Sequence, residues 1–363
     1  MSTPRAAVSV STPGRVCLFG EHQDYLGLPV IPCAISLRIR IDARPRDDRT
    51  VRIDMPDIGA AEQFSLDGPL AYVRERDYLR SAVNVIRREG YTFSRGFDCT
   101  VRGTIPINAG TSSSSALVVS WVNLLAAVSD QGTALPPADC ARLAHSAEVL
   151  EFHEPGGMMD HCAAAYGGVT VIDFGPAFSI APLDVDLGSF VLGDSGEPKD
   201  TKGILARVKG GVLEAVEFLR RRNPGFSLMD AAAGSIRGSG SGLPADREEL
   251  LEGTLRNRDI TGEARELLRG DPVDRRRLGA LLTDHHAVLR DVLGISTKRI
   301  DAMLAAAAAA GAFGGKINGS GGGGCMFAYA PENPGAVAEA IASAGGRPYI
   351  ISADAGTRRE TPR

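Results

Sequence analysis

The chain has 363 residues, enough for two domains or one large one with a sizeable core. Hydrophobic residues make up 44% and charged residues 23%, and the net charge of −4 offers no positive field for nucleic acid or an anionic membrane. No apolar run approaches the roughly 18 residues that cross a bilayer, and the N-terminal MSTPRAAVSVSTPGR lacks the continuous apolar centre of a signal peptide.

Residues 8–18 alternate and then run apolar, which predicts a strand. VIPCAISLRIRIDARP (30–45) alternates through LRIRIDA and predicts a second, and RTVRIDM (49–55) reads as its antiparallel partner. DYLRSAVNVIRREGY (77–91) carries apolar residues at helical spacing and ends in basic residues before Gly90, a helix with its stop signal. FDCTVRGTIP (97–106) returns to strand, and SSALVVSWVNLLAAVS (114–129) predicts a helix buried on most of its surface. ADCARLAHSAEVLEFHE (138–154) reads as helix and GGVTVIDFG (167–175) as strand. Further helices are expected at 201–221 and onward to residue 312, interrupted by a flexible connection at GSIRGSGSGLPAD (234–246). A strand at 324–331, a helix at 336–345, a strand at 347–354 and a disordered tail, AGTRRETPR, complete the order. Strands and helices mix in both halves, with a boundary near 180–190 and no internal repeat.

The six cysteines, Cys17, Cys33, Cys99, Cys140, Cys162 and Cys325, form no CxxC pair and sit mostly in apolar stretches. Metal-ligand spacing is absent, and buried thiols in a reducing cytoplasm are expected.

Four stretches carry chemistry. In PGRVCLFGEHQDYLG (13–27) an apolar run ends in a row of hydrogen-bonding side chains at the exit of a strand fit for burial. In PINAGTSSSSALVVS (106–120) a strand is followed by Gly110, Thr111, four serines and an apolar helix. Free N–H groups and the positive end of a helix dipole would converge there, small side chains would admit a phosphate, and serine hydroxyls could reach Mg²⁺. A serine-rich N-cap without a ligand would start the same way, although one cap requires one serine. KINGSGGGGCMFAYA (316–330) concentrates glycine before a strand, which suits close backbone approach to a ligand or packed segment, or a flexible linker between a helix and that strand. In EVLEFHEPGGMMDHCAAAYGG (148–168), Asp160 lies among Met, Ala and Gly as a candidate base or a helix cap, and Glu148 alone reads as a solvated helix charge. GAFGGKIN (311–318) is not a Walker A loop, because Ile follows Gly-Lys where Ser or Thr is required, and no GxGxxG opens a βαβ unit for a dinucleotide.

In this order, PGRVCLFGEHQDYLG, PINAGTSSSSA and KINGSGGGGC resemble the three motifs of the GHMP kinases (galactokinase, homoserine, mevalonate and phosphomevalonate kinases), and the first resembles the galactokinase signature. The resemblance implies an ATP-dependent small-molecule kinase of α+β class with two lobes. Residues 1–184 would resemble the second domain of ribosomal protein S5 and bind ATP and sugar; residues 185–363 would be ferredoxin-like, with the active site in the cleft between. It further implies that Gly110, Thr111, Ser112, Ser113, Ser114 and Ser115, with Gly321 and Gly322, hold the ATP phosphates, and that Ser114 and Glu148 bind Mg²⁺. GMMDH (157–161) resembles the GIMDQ segment of galactokinases, so Asp160 becomes the catalytic base and Arg15 its neighbouring cation. Glu21, His22, Asp24 and Tyr25, with Gly157, would contact a sugar phosphorylated at its anomeric hydroxyl.

The chain departs from galactokinases at Cys17 (usually Asn), Asn108 (usually Gly), and Thr111 and Ser115 (usually Leu and Ala). LGDSGEPKDTKGILARVKGG (192–211) resembles the DSG…TK stretch of mevalonate-type and other sugar kinases, which leaves the sugar open between galactose and a related one. A mevalonate-type kinase and a non-catalytic sensor of ATP and sugar are the rival readings. The expected partners are ATP and a small-molecule sugar, with no nucleic acid or membrane, and with monomer and dimer both open.

Overall fold

In the computed structural model, which describes residues 6–107, 109–175, 177–199, 201–236 and 240–361, two sheets carry the architecture. Asn108 and residues 237–239 of the expected flexible connection lie outside the described residues.

The first half runs β1 (Val8–Phe19), β2 (Ile31–Pro45), β3 (Thr50–Met55), β4 (Ala60–Ser65), α1 (Tyr78–Arg88), β5 (Phe97–Gly103), α2 (Ser113–Val128), α3 (Pro137–His145), α4 (Met159–Tyr166), β6 (Val169–Asp173) and β7 (Ser179–Leu183). The second runs β8 (Ser189–Asp194), α5 (Thr201–Arg222), α6 (Ala245–Leu268), α7 (Arg275–Asp291), α8 (Lys298–Ala309), β9 (Gly314–Ile317), β10 (Cys325–Tyr329), α9 (Pro334–Ser343), β11 (Arg347–Ser352) and β12 (Arg358–Glu360). An eight-stranded sheet has the order β12-β1-β2-β5-β3-β4, with β6 added to β2 and β7 to β6; a four-stranded sheet has the order β11-β8-β10-β9.

The long apolar run of β1 follows from its position. Cys17 and Val10 pack into the core beneath α1–α4, whereas Val16, Leu18 and Phe19 enter a second apolar cluster with Phe190 and Leu192 of β8, Leu278 and Leu281 of α7 and Phe327 of β10. A strand buried on both faces has no polar side to show. That second cluster joins the two sheets and fixes the walls of the cleft between them. α2 is apolar around its circumference for the same reason: Trp121 is fully buried and its indole N–H donates to the Leu79 carbonyl at 3.0 Å.

Four expectations are corrected. β3 pairs in parallel with β5 and antiparallel with β4, not with β2, because β5 inserts between them; alternation marks a half-buried strand and says nothing of its partner. The described part of the tail is ordered: β12 covers the edge of β1, pairing Ser9 with Glu360, while Thr12 and Thr357 join their hydroxyls at 2.7 Å. The helix expected over 138–154 ends as α3 and continues only as a single π turn, Ser146–Leu150. The glycine loop connects β9 to β10 rather than a helix to a strand.

Candidate active site

The register of β1 against β2 shifts between Pro13 and Arg15. Such a bulge re-aims the following side chain. Gly14 at that point permits a close approach, since a Cβ there would lie 2.9 Å from the Thr111 carbonyl oxygen, which accepts the Arg15 N–H at 3.2 Å. Arg15 is thereby turned into the cleft, where Nε donates to Asp160 Oδ1 at 2.7 Å, Nη2 to Asp160 Oδ2 at 2.8 Å and Nη1 to the Gly110 carbonyl at 2.5 Å. Burial alone would push the Asp160 carboxyl up, but the Arg15 guanidinium outweighs it and holds the group below the usual carboxylate range. Burial opposes the charge on Arg15 as well, and Asp160 reverses that effect, so both groups stay ionised.

The serine-rich loop opens α2. Gly110 (φ 88°) and Ser112 (φ 58°) both adopt the left-handed conformation, which turns the chain sharply into the helix. Gly110 and Ser112–Ser115 line the cleft. Thr111 does not: it is fully buried, with its hydroxyl donating to the Pro106 carbonyl at 3.3 Å and its own carbonyl spent on Arg15. The π turn after α3 presents Glu148 toward the same place, and such turns concentrate at functional sites. Glu148 is a buried carboxylate whose Oε2 lies 2.8 Å from His161 Nε2. Burial pushes Glu148 up, and His161 with the Ser114 and Ser115 hydroxyls pulls it below its ordinary value. One carboxylate beside serine hydroxyls is a hard oxygen set, which fits Mg²⁺ completed by phosphates and water. Among the described residues no group of three or more His, Cys, Asp and Glu could hold a metal without such help.

After β1 the chain reverses at Gly20 (φ 96°), where a Cβ would lie 2.8 Å from the Val30 Cα. Glu21 follows and is 1% exposed, with Oε2 held by the Lys316 ammonium at 2.5 Å and Oε1 accepting the Gly319 N–H at 3.2 Å. His22 (φ 62°) places Nε2 3.1 Å from the Ser320 carbonyl and Nδ1 2.6 Å from the Tyr25 hydroxyl. A carbonyl only accepts, so Nε2 carries the proton and Nδ1 accepts from Tyr25. Burial pushes the imidazole down to about 4, and it is neutral at pH 7. Asp24 begins a 3-10 turn, Asp24–Leu26, and its carboxylate lies flat on Gly157, where a Cβ would fall 1.8 Å from Oδ2. Burial and the nearby Asp160 charge push the Asp24 carboxyl up to about 6.

These side chains enclose a cavity of about 700 Å³ lined by Arg15, Glu21, His22, Asp24, Tyr25, Gly157 and Asp160 together with the serine loop and Glu148. The glycine loop reaches it through Gly319 and Ser320. Gly321 and Gly322, expected to hold phosphates, face elsewhere: Gly321 packs on Ile295, and the Gly322 N–H donates to the Ile295 carbonyl at 2.7 Å. Tyr78, His161 and Lys199 line the cavity and were not singled out in the sequence. Lys199 lies within the DSGEPKDTK stretch, so a signal existed; His161 adjoins Asp160, and only its partner Glu148 reveals its use.

Residues 77–168 match the family described as GHMP kinases N terminal domain, residues 264–347 match GHMP kinases C terminal, and residues 2–45 match the galactokinase galactose-binding signature. Mevalonate kinase of Thermococcus sibiricus is 31% identical over 94% of this chain and 95% of its own, and mevalonate kinase of Pyrococcus furiosus is 30% identical over the same shares. Among solved structures, Lactococcus lactis galactokinase complexed with galactose superposes with a TM-score of 0.85 at 22% identity, covering 99% of this chain and 96% of that one. Methanococcus jannaschii mevalonate kinase superposes with a TM-score of 0.75 at 17% identity, covering 97% and 100%. At these identities the superpositions speak for the fold.

Proposed function

This chain belongs to the GHMP kinases, and from that premise we propose that it transfers the terminal phosphoryl group of ATP to the anomeric hydroxyl of a monosaccharide, galactose or a related sugar. The observation that carries the sugar reading is the Asp24 carboxylate, seated on Gly157 beside Asp160. A carboxylate beside the candidate base supports this reading, since it could accept from the hydroxyls of a polyol. The Tyr25 hydroxyl and neutral His22 close the same wall, and residues 2–45 carry the galactose-binding signature.

The chemistry follows from positioning and charge. Asp160, ionised and fixed by Arg15, takes the proton of the acceptor hydroxyl or orients it. The hydroxyl oxygen forms the new bond to the terminal phosphorus, the bond to the β–γ bridging oxygen breaks, and ADP leaves with that electron pair. Ser114 and Glu148 would hold Mg²⁺, which would neutralise charge on the phosphates. Gly110 and Ser112–Ser115 at the start of α2 would cradle them.

A mevalonate acceptor is the second reading, favoured by relatives of about 30% identity that are named mevalonate kinases. Identification of the product separates the two. Transfer to the anomeric hydroxyl removes the reducing end of an aldose in step with ADP release; ADP release that leaves the reducing end intact would contradict that position of attack.

A further inference from the structure

Arg15 does not present a free charge to a ligand: Nε, Nη1 and Nη2 are all engaged by Asp160 and Gly110. Phosphoryl transfer nonetheless spreads negative charge over the transferred oxygens and requires cations aimed at them. The cleft contains another cation. We propose that the Lys199 ammonium binds the transferred phosphoryl group of ATP, an inference that rests on the kinase reading above.

Glycines build the slot for this side chain. A Cβ at Gly324 would lie 2.9 Å from Lys199 Cδ, one at Gly110 would lie 2.9 Å from Nζ, and one at Gly319 would lie 3.3 Å from Nζ. The stem therefore runs along the glycine loop, and the ammonium emerges where that loop meets the first residue of the serine loop. The backbone behind Lys199 is fastened there. The Ser195 N–H and hydroxyl donate to the Gly324 carbonyl at 2.9 and 2.6 Å, and the Gly324 N–H donates to the Glu197 carbonyl at 3.0 Å. Gly323 closes the contact, since a Cβ there would lie 2.7 Å from the Pro198 carbonyl oxygen.

Lys199 forms no ion pair among the described residues, although its neighbours Arg15, Glu21 and Lys316 all do. Keeping an unpaired ammonium in a desolvated cleft beside a guanidinium costs free energy in the unliganded protein, so the arrangement is explained by an anion that arrives. Burial and Arg15 push Lys199 down to about 8, which leaves it mostly charged at pH 7. The position of Nζ between Gly110 and Gly319 places that anion at the phosphate end of the cleft, beside Asp160.

The test compares Lys199→Gln and Lys199→Arg with the wild type, titrating ADP and the non-hydrolysable β,γ-imido analogue of ATP in the presence of Mg²⁺. Lys199→Gln is expected to weaken the analogue by about tenfold or more, the scale of one charge-assisted hydrogen bond. ADP should change by less than about twofold, because it lacks the transferred group, and kcat should fall. Lys199→Arg should recover most of the analogue affinity, and the alkaline decline of kcat/KM for ATP near pH 8 in the wild type should move higher in this variant. Equal weakening of ADP and analogue, or no weakening of either, overturns the proposal. So does a raised KM confined to a carboxylate-bearing acceptor with nucleotide affinities unchanged, which would assign Lys199 to the acceptor. A wild type that binds neither nucleotide overturns the kinase reading and this proposal together.

Discussion

Arg15 and Asp160 meet in a two-pronged ion pair, Nε to Oδ1 at 2.7 Å and Nη2 to Oδ2 at 2.8 Å. The planar fork fixes the carboxylate in rotation as well as in charge, which a lysine could not do. It also separates two neighbouring acids: Asp160 is held below its ordinary range while Asp24 is pushed up to about 6. Divergent titration of adjacent carboxyls is what the proposed division into a base and a hydroxyl acceptor requires.

Asp160→Asn keeps the shape and removes the charge and basicity. Phosphoryl transfer should fall by about 10²–10⁴, the usual worth of a positioned base, while ADP binding stays within about twofold. A variant with near-wild-type turnover would remove Asp160 from the role of base.

The pH dependence follows from Asp24. Below about 6 its carboxyl is protonated and loses acceptor capacity, while Asp160 remains ionised. The acceptor kcat/KM should therefore decline on the acid side with a midpoint near 6, and Asp24→Asn should abolish that limb. For stability the sign is opposite. The folded protein binds this proton more tightly than the unfolded chain, so the Asp24 contribution favours folding increasingly as pH falls from about 6 toward about 4. An acid limb unchanged in Asp24→Asn would show that another group sets it.

Gly157→Ala tests the seat of that carboxylate. The added methyl would fall 1.8 Å from Asp24 Oδ2, so Asp24 must move. The acceptor KM should rise by about tenfold, one charge-assisted hydrogen bond, with ADP affinity unchanged. An unaltered KM would detach Asp24 from the acceptor.

The buried pair of Lys316 and Glu21, at 0% and 1% side-chain exposure, ties β9 to the exit of β1. Glu21→Gln leaves the Lys316 ammonium buried without its counter-charge and should cost about 3–5 kcal/mol. The midpoint of urea unfolding measures this. Loss of activity with no change in that midpoint would instead give Glu21 a purely substrate-facing role.

The sequence showed most where the pattern is local. β1, α2 and the loops at 110–115 and 319–324 are legible because glycine density, serine runs and hydrophobic period are properties of neighbours in the chain. What escaped depends on distant partners. Glu21 reads as a sugar contact, yet its carboxylate is occupied by Lys316, 295 residues away. Gly322 reads as a phosphate donor, yet Ile295 takes its N–H. The polar tail reads as disordered because no hydrophobic pattern announces a strand that exists to cover an edge. Lys199 lies in a stretch whose resemblance was legible, but the glycines that form its slot come from two distant loops.

ADP release measured with Mg²⁺ and ATP over a panel of aldoses and mevalonate decides whether a monosaccharide is the acceptor. An aldose, galactose or a close relative, should give the highest kcat/KM. Turnover confined to mevalonate would contradict it.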